Sequence, residues 1–128
     1  MLRVGLDVHG VCDKYTKIFS ELSAGLIDSG FEVHIITGQR DTVDLRKKLN
    51  SLNIHWSKIH SITDYNQEKG VKVRYDKNGE PWMDQSVWDS TKAKICKENN
   101  IDIHYDDSKV YGKWFKKLKT KTLYLLVE

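Results

Sequence analysis

Short apolar runs alternate along the chain with longer segments whose apolar residues recur at helical spacing. Leu2-Arg3-Val4-Gly5-Leu6-Asp7-Val8-His9-Gly10-Val11 opens the pattern as a buried strand that ends on an aspartate and turns at a glycine. After the polar link Cys12-Asp13-Lys14, the residues Tyr15, Ile18, Phe19, Leu22 and Leu26 form one helical stripe, which Ser29-Gly30 closes. Residues 31–37 read as a second buried strand, again ending in a polar residue followed by glycine. Asp41, with Asp44 three positions on, predicts the N-cap of a second helix that buries Leu45, Leu49 and Leu52. A weakly marked third strand follows over residues 58–62.

The stretch from about residue 64 to residue 86 breaks the alternation. Val71-Lys72-Val73-Arg74-Tyr75 has strand periodicity, Asp76-Lys77-Asn78-Gly79 reads as a turn, and Glu80-Pro81-Trp82-Met83 reads as the return strand of an inserted β-hairpin. Asp89 predicts the cap of a third helix that turns Ile95 and Cys96 inward and ends at Asn99-Asn100. Ile101-Asp102-Ile103-His104-Tyr105 is the fourth strand and runs into Asp106-Asp107. A last helix with Tyr111, Trp114, Phe115 and Leu118 inward precedes a closing strand over residues 122–127. Alternation of this kind predicts a single domain over residues 1–128: an α/β protein with a parallel sheet and helices on both faces. If the fourth strand lies beside the first, on the side away from the second, then Asp7, Thr37-Gly38 and Asp106-Asp107 meet at one crevice.

Composition narrows the class without naming a chemistry. A chain of 128 residues supports one core, and 30% charged residues of both signs suit a soluble globular protein. The net charge of +3 permits anionic ligands and does not demand them. Cys12 and Cys96 have neither metal-ligand spacing nor the density of a disulfide scaffold, which predicts a reducing, cytoplasmic setting. The first strand begins at once, so no signal peptide is expected, and no apolar run has the length of a membrane span.

The strand tips carry the chemistry. Two or three carboxylates at one point repel one another unless a cation lies between them, and magnesium suits an all-oxygen site that also takes a phosphate oxygen. Read alone, Asp106-Asp107 is equally a turn in which one aspartate caps the last helix. Thr37 and Gly38 offer a hydroxyl and backbone N–H groups where a helix is about to start, either an anion-holding arrangement or a plain strand-to-helix turn, and Arg40 reads equally as a phosphate contact or a surface residue. Lys92 shares a helix face with Ile95 and Cys96 and is expected in the first turn of that helix, near the strand tips, whereas Lys94 points toward solvent. Tyr65, Tyr75, Trp82 and Trp88 gather in or beside the insert, either to stack on a base or to pack the insert onto the body or a second subunit. Lys113, Lys116, Lys117, Lys119 and Lys121 read as a solvated helix face rather than a track for a phosphate backbone.

Assembled in this order, the residues resemble the haloacid dehalogenase-like superfamily of phosphohydrolases over essentially the whole chain. Asp7-Val8-His9-Gly10-Val11 stands for its first motif, Thr37 for the second, Lys92 for the third and the Asp106-Asp107 pair for the fourth. The resemblance implies a Rossmann-like three-layer α/β/α fold with a five-stranded parallel sheet in the order 5-4-1-2-3. It implies Asp7 as a nucleophile that forms an aspartyl-phosphate, with Thr37 and Lys92 on the phosphoryl group. It also implies magnesium held by Asp7, the backbone carbonyl of His9, and Asp106 or Asp107. The departure is His9, where phosphatases of the family carry a second aspartate as acid and base. Histidine suits that work at neutral pH, so three readings stand: a working acid/base, slow turnover with a long-lived aspartyl-phosphate, or a phosphate-binding scaffold protein without turnover. The link over residues 12–14 is too short for a cap domain and the hairpin is too small to be one. The open site this leaves predicts a large phosphorylated substrate, such as a polynucleotide end or a protein, beside the general class of a nucleotide or another phosphomonoester, or else closure by a second copy through the hairpin.

Overall fold

In the structure of residues 1–128, a computed structural model, seven strands and five helices follow one another. They are β1 (Arg3–Leu6), α1 (Thr16–Asp28), β2 (Glu32–Thr37), α2 (Val43–Ser51), β3 (Lys58–Ser61), α3 (Ile62–Glu68), β4 (Arg74–Tyr75), β5 (Pro81–Trp82), α4 (Gln85–Glu98), β6 (Ile103–Asp106), α5 (Lys109–Lys117) and β7 (Leu123–Leu126). Five strands form an all-parallel sheet in the order β3-β2-β1-β6-β7, and β4 pairs with β5 antiparallel in a separate two-stranded sheet. This order differs from the expected 5-4-1-2-3 in its count. The hairpin strands take the fourth and fifth places along the chain, so the strands expected as fourth and fifth are β6 and β7.

Both faces of the sheet are covered, and β1 and β2 are buried along nearly their whole length, although β2 carries Glu32 and His34 between its apolar residues. Val4, Leu6, Val33 and Ile35 pack with Phe19, Leu45 and Leu49 beneath α1 and α2. Ile36, Ala93, Ile95, Cys96, Ile101 and Phe115 form a second cluster on the opposite face, under α4 and α5, and Tyr65 of α3 packs against it. The chain thus winds outward from β1 through α1 and α2, then crosses over through α3, the hairpin and α4 to β6. That reversal puts a topological switch point between β1 and β6, where open α/β sheets hold ligands beyond the strands' carboxyl ends.

Several local expectations are corrected. Thr42, not Asp41, caps α2: its hydroxyl accepts the Leu45 N–H at 3.2 Å, while Asp41 pairs with Arg46 at 2.9 Å. Asp84, not Asp89, caps α4, because its carboxylate accepts the N–H groups of Ser86 and Val87; the helix gains a first turn, Gln85-Ser86-Val87-Trp88, ahead of the expected start. Ser108 caps α5, so neither aspartate of the pair spends its carboxylate on that cap. Residues 62–68, expected as the end of the third strand and the start of the insert, form α3; its inward Asn66 binds Ile62 O and Thr91 Oγ1 and hides the helical pattern behind a buried polar side chain. The hairpin is shorter than its periodicity suggested, because only Arg74–Tyr75 and Pro81–Trp82 pair. On α1, Ile18 is exposed, while Ser23 is buried and bonds Ser20 O and the His55 N–H.

Candidate functional site

Asp7 follows the last residue of β1, and its N–H still continues the ladder to Tyr105 O at 3.0 Å. Its side chain then bends back so that Oδ1 accepts the Val8 N–H at 2.9 Å. The chain leaves in a wide turn over Val8–Cys12, closed by the Asp13 N–H on Val8 O at 3.1 Å. Gly10 makes that turn at φ +81°, and a Cβ there would meet Asp107 Oδ2 at 2.0 Å. Glycine is required twice over, for the left-handed backbone and for the carboxylate laid across it.

Lys92 reaches from the second turn of α4 to the strand tips, its side chain 3% exposed. Nζ lies 2.6 Å from Asp106 Oδ2 and 3.0 Å from Asp7 Oδ1. Lys94, one residue from the inward face, is half-buried and makes no ion pair. Asp106 Oδ2 also accepts from His104 Nε2 at 2.9 Å, and its Oδ1 accepts the Ser108 N–H at 3.1 Å. His104 is fully buried, and burial holds its imidazole neutral against the pull of Asp106.

The charges are unequal. One carboxylate oxygen each from Asp7, Asp106 and Asp107 lies within 4.8 Å of the others, with one ammonium among them. Burial, and after it the repulsion of Asp106 and Asp107 opposing the pull of Lys92, pushes Asp7 up to about 7. Asp106 goes the other way: burial would raise it, but the hydrogen bond from His104 and the Lys92 charge hold it well below the usual carboxylate range. Burial likewise disfavours the Lys92 ammonium, and the two carboxylates outweigh it and raise that pKa. A surplus of negative charge on convergent oxygens is what a hard divalent cation needs, so the residues present fit magnesium.

A cavity of about 720 Å³ opens over these groups. Thr37 lies at its edge, buried, its Oγ1 accepting the Gln39 N–H at 3.2 Å and leaving the hydroxyl proton for a ligand. Gly38 lines it too, pressed so close to Trp88 that a Cβ would meet the indole at 2.8 Å. His9 lines it with a side chain 86% exposed, Nδ1 3.1 Å from Asp13 Oδ2. Asp13 is held in turn by the Gly10 N–H at 2.8 Å. The bond from Nδ1 leaves the Nε2 of a neutral His9 free as an acceptor.

The structure therefore brings together Asp7, His9, Thr37, Gly38, Lys92, Asp106 and Asp107. It does not bring Arg40, whose Nε donates to Asp64 Oδ1 at 2.8 Å and which is absent from the cavity lining. The sequence reading missed Tyr111, assigned to the buried face of α5; it lines the cavity, and its hydroxyl accepts from Trp88 Nε1 at 2.8 Å. Its place in the first turn after the Asp106-Asp107 tip was the available signal. Of the four aromatic residues around the insert, Trp82 and Trp88 line the cavity, while the Tyr65 hydroxyl bonds Glu98. No helix is long and apolar enough to cross a membrane. The chain matches no family model, no curated protein and no solved structure.

Proposed function

We propose that the protein is a magnesium-dependent phosphohydrolase of the haloacid dehalogenase-like kind, acting through a phosphoryl group carried on Asp7. One observation carries the reading: a buried lysine between Asp7 and Asp106, with Asp107 in reach, at the tips of the two strands that flank the switch point.

Each residue has a part that follows from its contacts. Lys92 and the Val8 N–H fix Asp7 Oδ1, which leaves Oδ2 to attack phosphorus. As the Asp7–phosphorus bond forms, the ester P–O bond breaks and the leaving oxygen takes a proton from His9. Water then attacks the same phosphorus, gives its proton to His9 Nε2 and releases inorganic phosphate from Asp7. Asp13 keeps the His9 proton on Nδ1 when the ring is neutral, so that Nε2 is the working nitrogen. Thr37 Oγ1 and Lys92 supply donors to the phosphoryl oxygens. Asp7, Asp106 or Asp107, and the His9 carbonyl would hold magnesium, which when bound would supply Lewis-acid stabilisation of charge on the phosphoryl oxygens.

A second reading, phosphate binding without turnover, draws on one feature: the His9 imidazole is exposed and bonded to Asp13 rather than to Asp7. Phosphate release from a panel of monoesters with magnesium separates the two readings. Activity in the parent that Asp7→Asn abolishes supports hydrolysis. An inert parent that gains activity in His9→Asp supports binding alone, and activity indifferent to Asp7→Asn refutes the mechanism.

A further inference from the structure

The cavity extends well past the phosphoryl site, and its far wall has a composition of its own. Trp82 stands 52% exposed on the hairpin, and Trp88 faces the same space from α4, braced against Gly38 and hydrogen-bonded to Tyr111. A smaller recess between the two tryptophans is lined by Pro81, Met83 and Gln85 as well. Asp76 and Glu80 join this wall. Asp76 accepts only from neutral donors, the N–H groups of Asn78 and Glu80 and the Trp82 indole, so its charge stays uncompensated. Glu80 is exposed and makes no ion pair. The one lysine lining the cavity is already held between two carboxylates, and Arg40, the nearest cation expected from the sequence, belongs to Asp64.

Two indoles and two carboxylates without an ion pair, lining one cavity, are the components of a cation site, since an indole ring attracts an ammonium through its quadrupole and the carboxylates attract it directly. The same wall repels a polyanion. Resting on the phosphohydrolase reading, we propose that the substrate is a small phosphomonoester whose far end carries an amine or quaternary ammonium group. That group lies against Trp82 and Trp88 and faces Asp76 and Glu80. A polynucleotide end is the disfavoured substrate, because a phosphate next to the reacting one would meet Asp76 and Glu80 in the cavity, although Lys72, Arg74 and Lys77 lie exposed on the same hairpin.

The test compares kcat/KM for phosphate release, with magnesium, from phosphocholine, from its neutral isostere with carbon in place of the quaternary nitrogen, from adenosine monophosphate, and from an oligonucleotide with a terminal phosphate. Phosphocholine is expected to exceed the isostere about tenfold, a difference of about 1.4 kcal/mol, and Glu80→Gln is expected to bring that ratio toward one. Glu80 and Trp82, the two wall residues to be substituted, lie exposed on the hairpin, so their substitutions leave the core intact. A second measurement needs no turnover: tetramethylammonium titrated against tryptophan fluorescence, with saturable quenching expected in the parent and lost in Trp82→Leu. Quenching that requires Trp82 and Glu80, without phosphate release from any ester, refutes the phosphohydrolase reading and keeps the cation wall. Turnover that treats phosphocholine and its isostere alike, or that prefers adenosine monophosphate or the oligonucleotide, overturns this inference and keeps the phosphohydrolase.

Discussion

Replacing Asp7 with asparagine should stabilise the metal-free protein at alkaline pH and remove its response to magnesium. In the metal-free fold Asp7 is pushed up to about 7 from an ordinary value of 3.8, first by burial and then by its acidic neighbours. Between those values the folded state binds more protons than the unfolded chain, so stability falls as pH rises through the window and the loss is complete above about 7. At about 1.4 kcal/mol per pH unit this amounts to a few kcal/mol at pH ~8. For a domain of this size that is a shift in melting temperature on the order of 10 °C. Thermal melts with a chelator at acidic and alkaline pH should show Asp7→Asn matching the parent near pH ~4 and exceeding it near pH ~8. Magnesium at a hundred times its dissociation constant should then raise the parent by about 2.7 kcal/mol and leave Asp7→Asn where it was. A variant less stable than the parent at alkaline pH, or a magnesium response equal in both proteins, would refute the electrostatic account of the site.

Three further outcomes follow from named contacts. Gly10→Ala should cost about 1–2 kcal/mol for the left-handed backbone alone and more as Asp107 is displaced, and titration calorimetry should show weaker magnesium binding; unchanged affinity would remove Asp107 from the metal site. Thr42→Ala should cost about 1 kcal/mol through the lost helix cap, whereas Asp41→Ala, which breaks an exposed pair, should cost well under that in denaturant titrations. On the α3–α4 side of the sheet, His34 Nδ1 lies 2.8 Å from His60 Nε2, and burial depresses the pKa of both imidazoles, that of His60 to about 4. Neutral imidazoles of this kind stabilise the fold above about 6.5, and that contribution is lost as pH falls toward about 4. His60→Gln should flatten this acid limb in thermal melts, and a limb of unchanged slope would place its origin elsewhere.

The sheet and the tips of β1, β2 and β6 were legible in the sequence because each strand is a short, mostly apolar run that ends at a polar residue, even where a buried histidine interrupts it, as His34 and His104 do. Lys92 was legible through helical phase, since only the face shared with Ile95 and Cys96 reaches the sheet. What escaped was decided by polar groups acting locally. Thr42 and Asp84 cap their helices because their side chains meet free N–H groups, and neighbouring Asp41 and Asp89 have the same capacity on paper. The helix α3 escaped because Asn66 fills a core position through hydrogen bonds to Ile62 O and Thr91 Oγ1. Arg40 was misplaced for a related reason: its neighbourhood in sequence put it near a phosphate, while Asp64, far along the chain, holds it outside the cavity. Tyr111 shows the converse, a residue with core periodicity whose hydroxyl end belongs to the site.

The central claim is that Asp7 carries the phosphoryl group. Rapid quenching of the protein during turnover of a phosphomonoester with magnesium, followed by mass spectrometry of the peptides, tests it directly. The expected result is a phosphorylated peptide containing Asp7 that disappears when magnesium is chelated and in Asp7→Asn. Steady turnover with no phosphoryl group on Asp7, or labelling that survives Asp7→Asn, would contradict it.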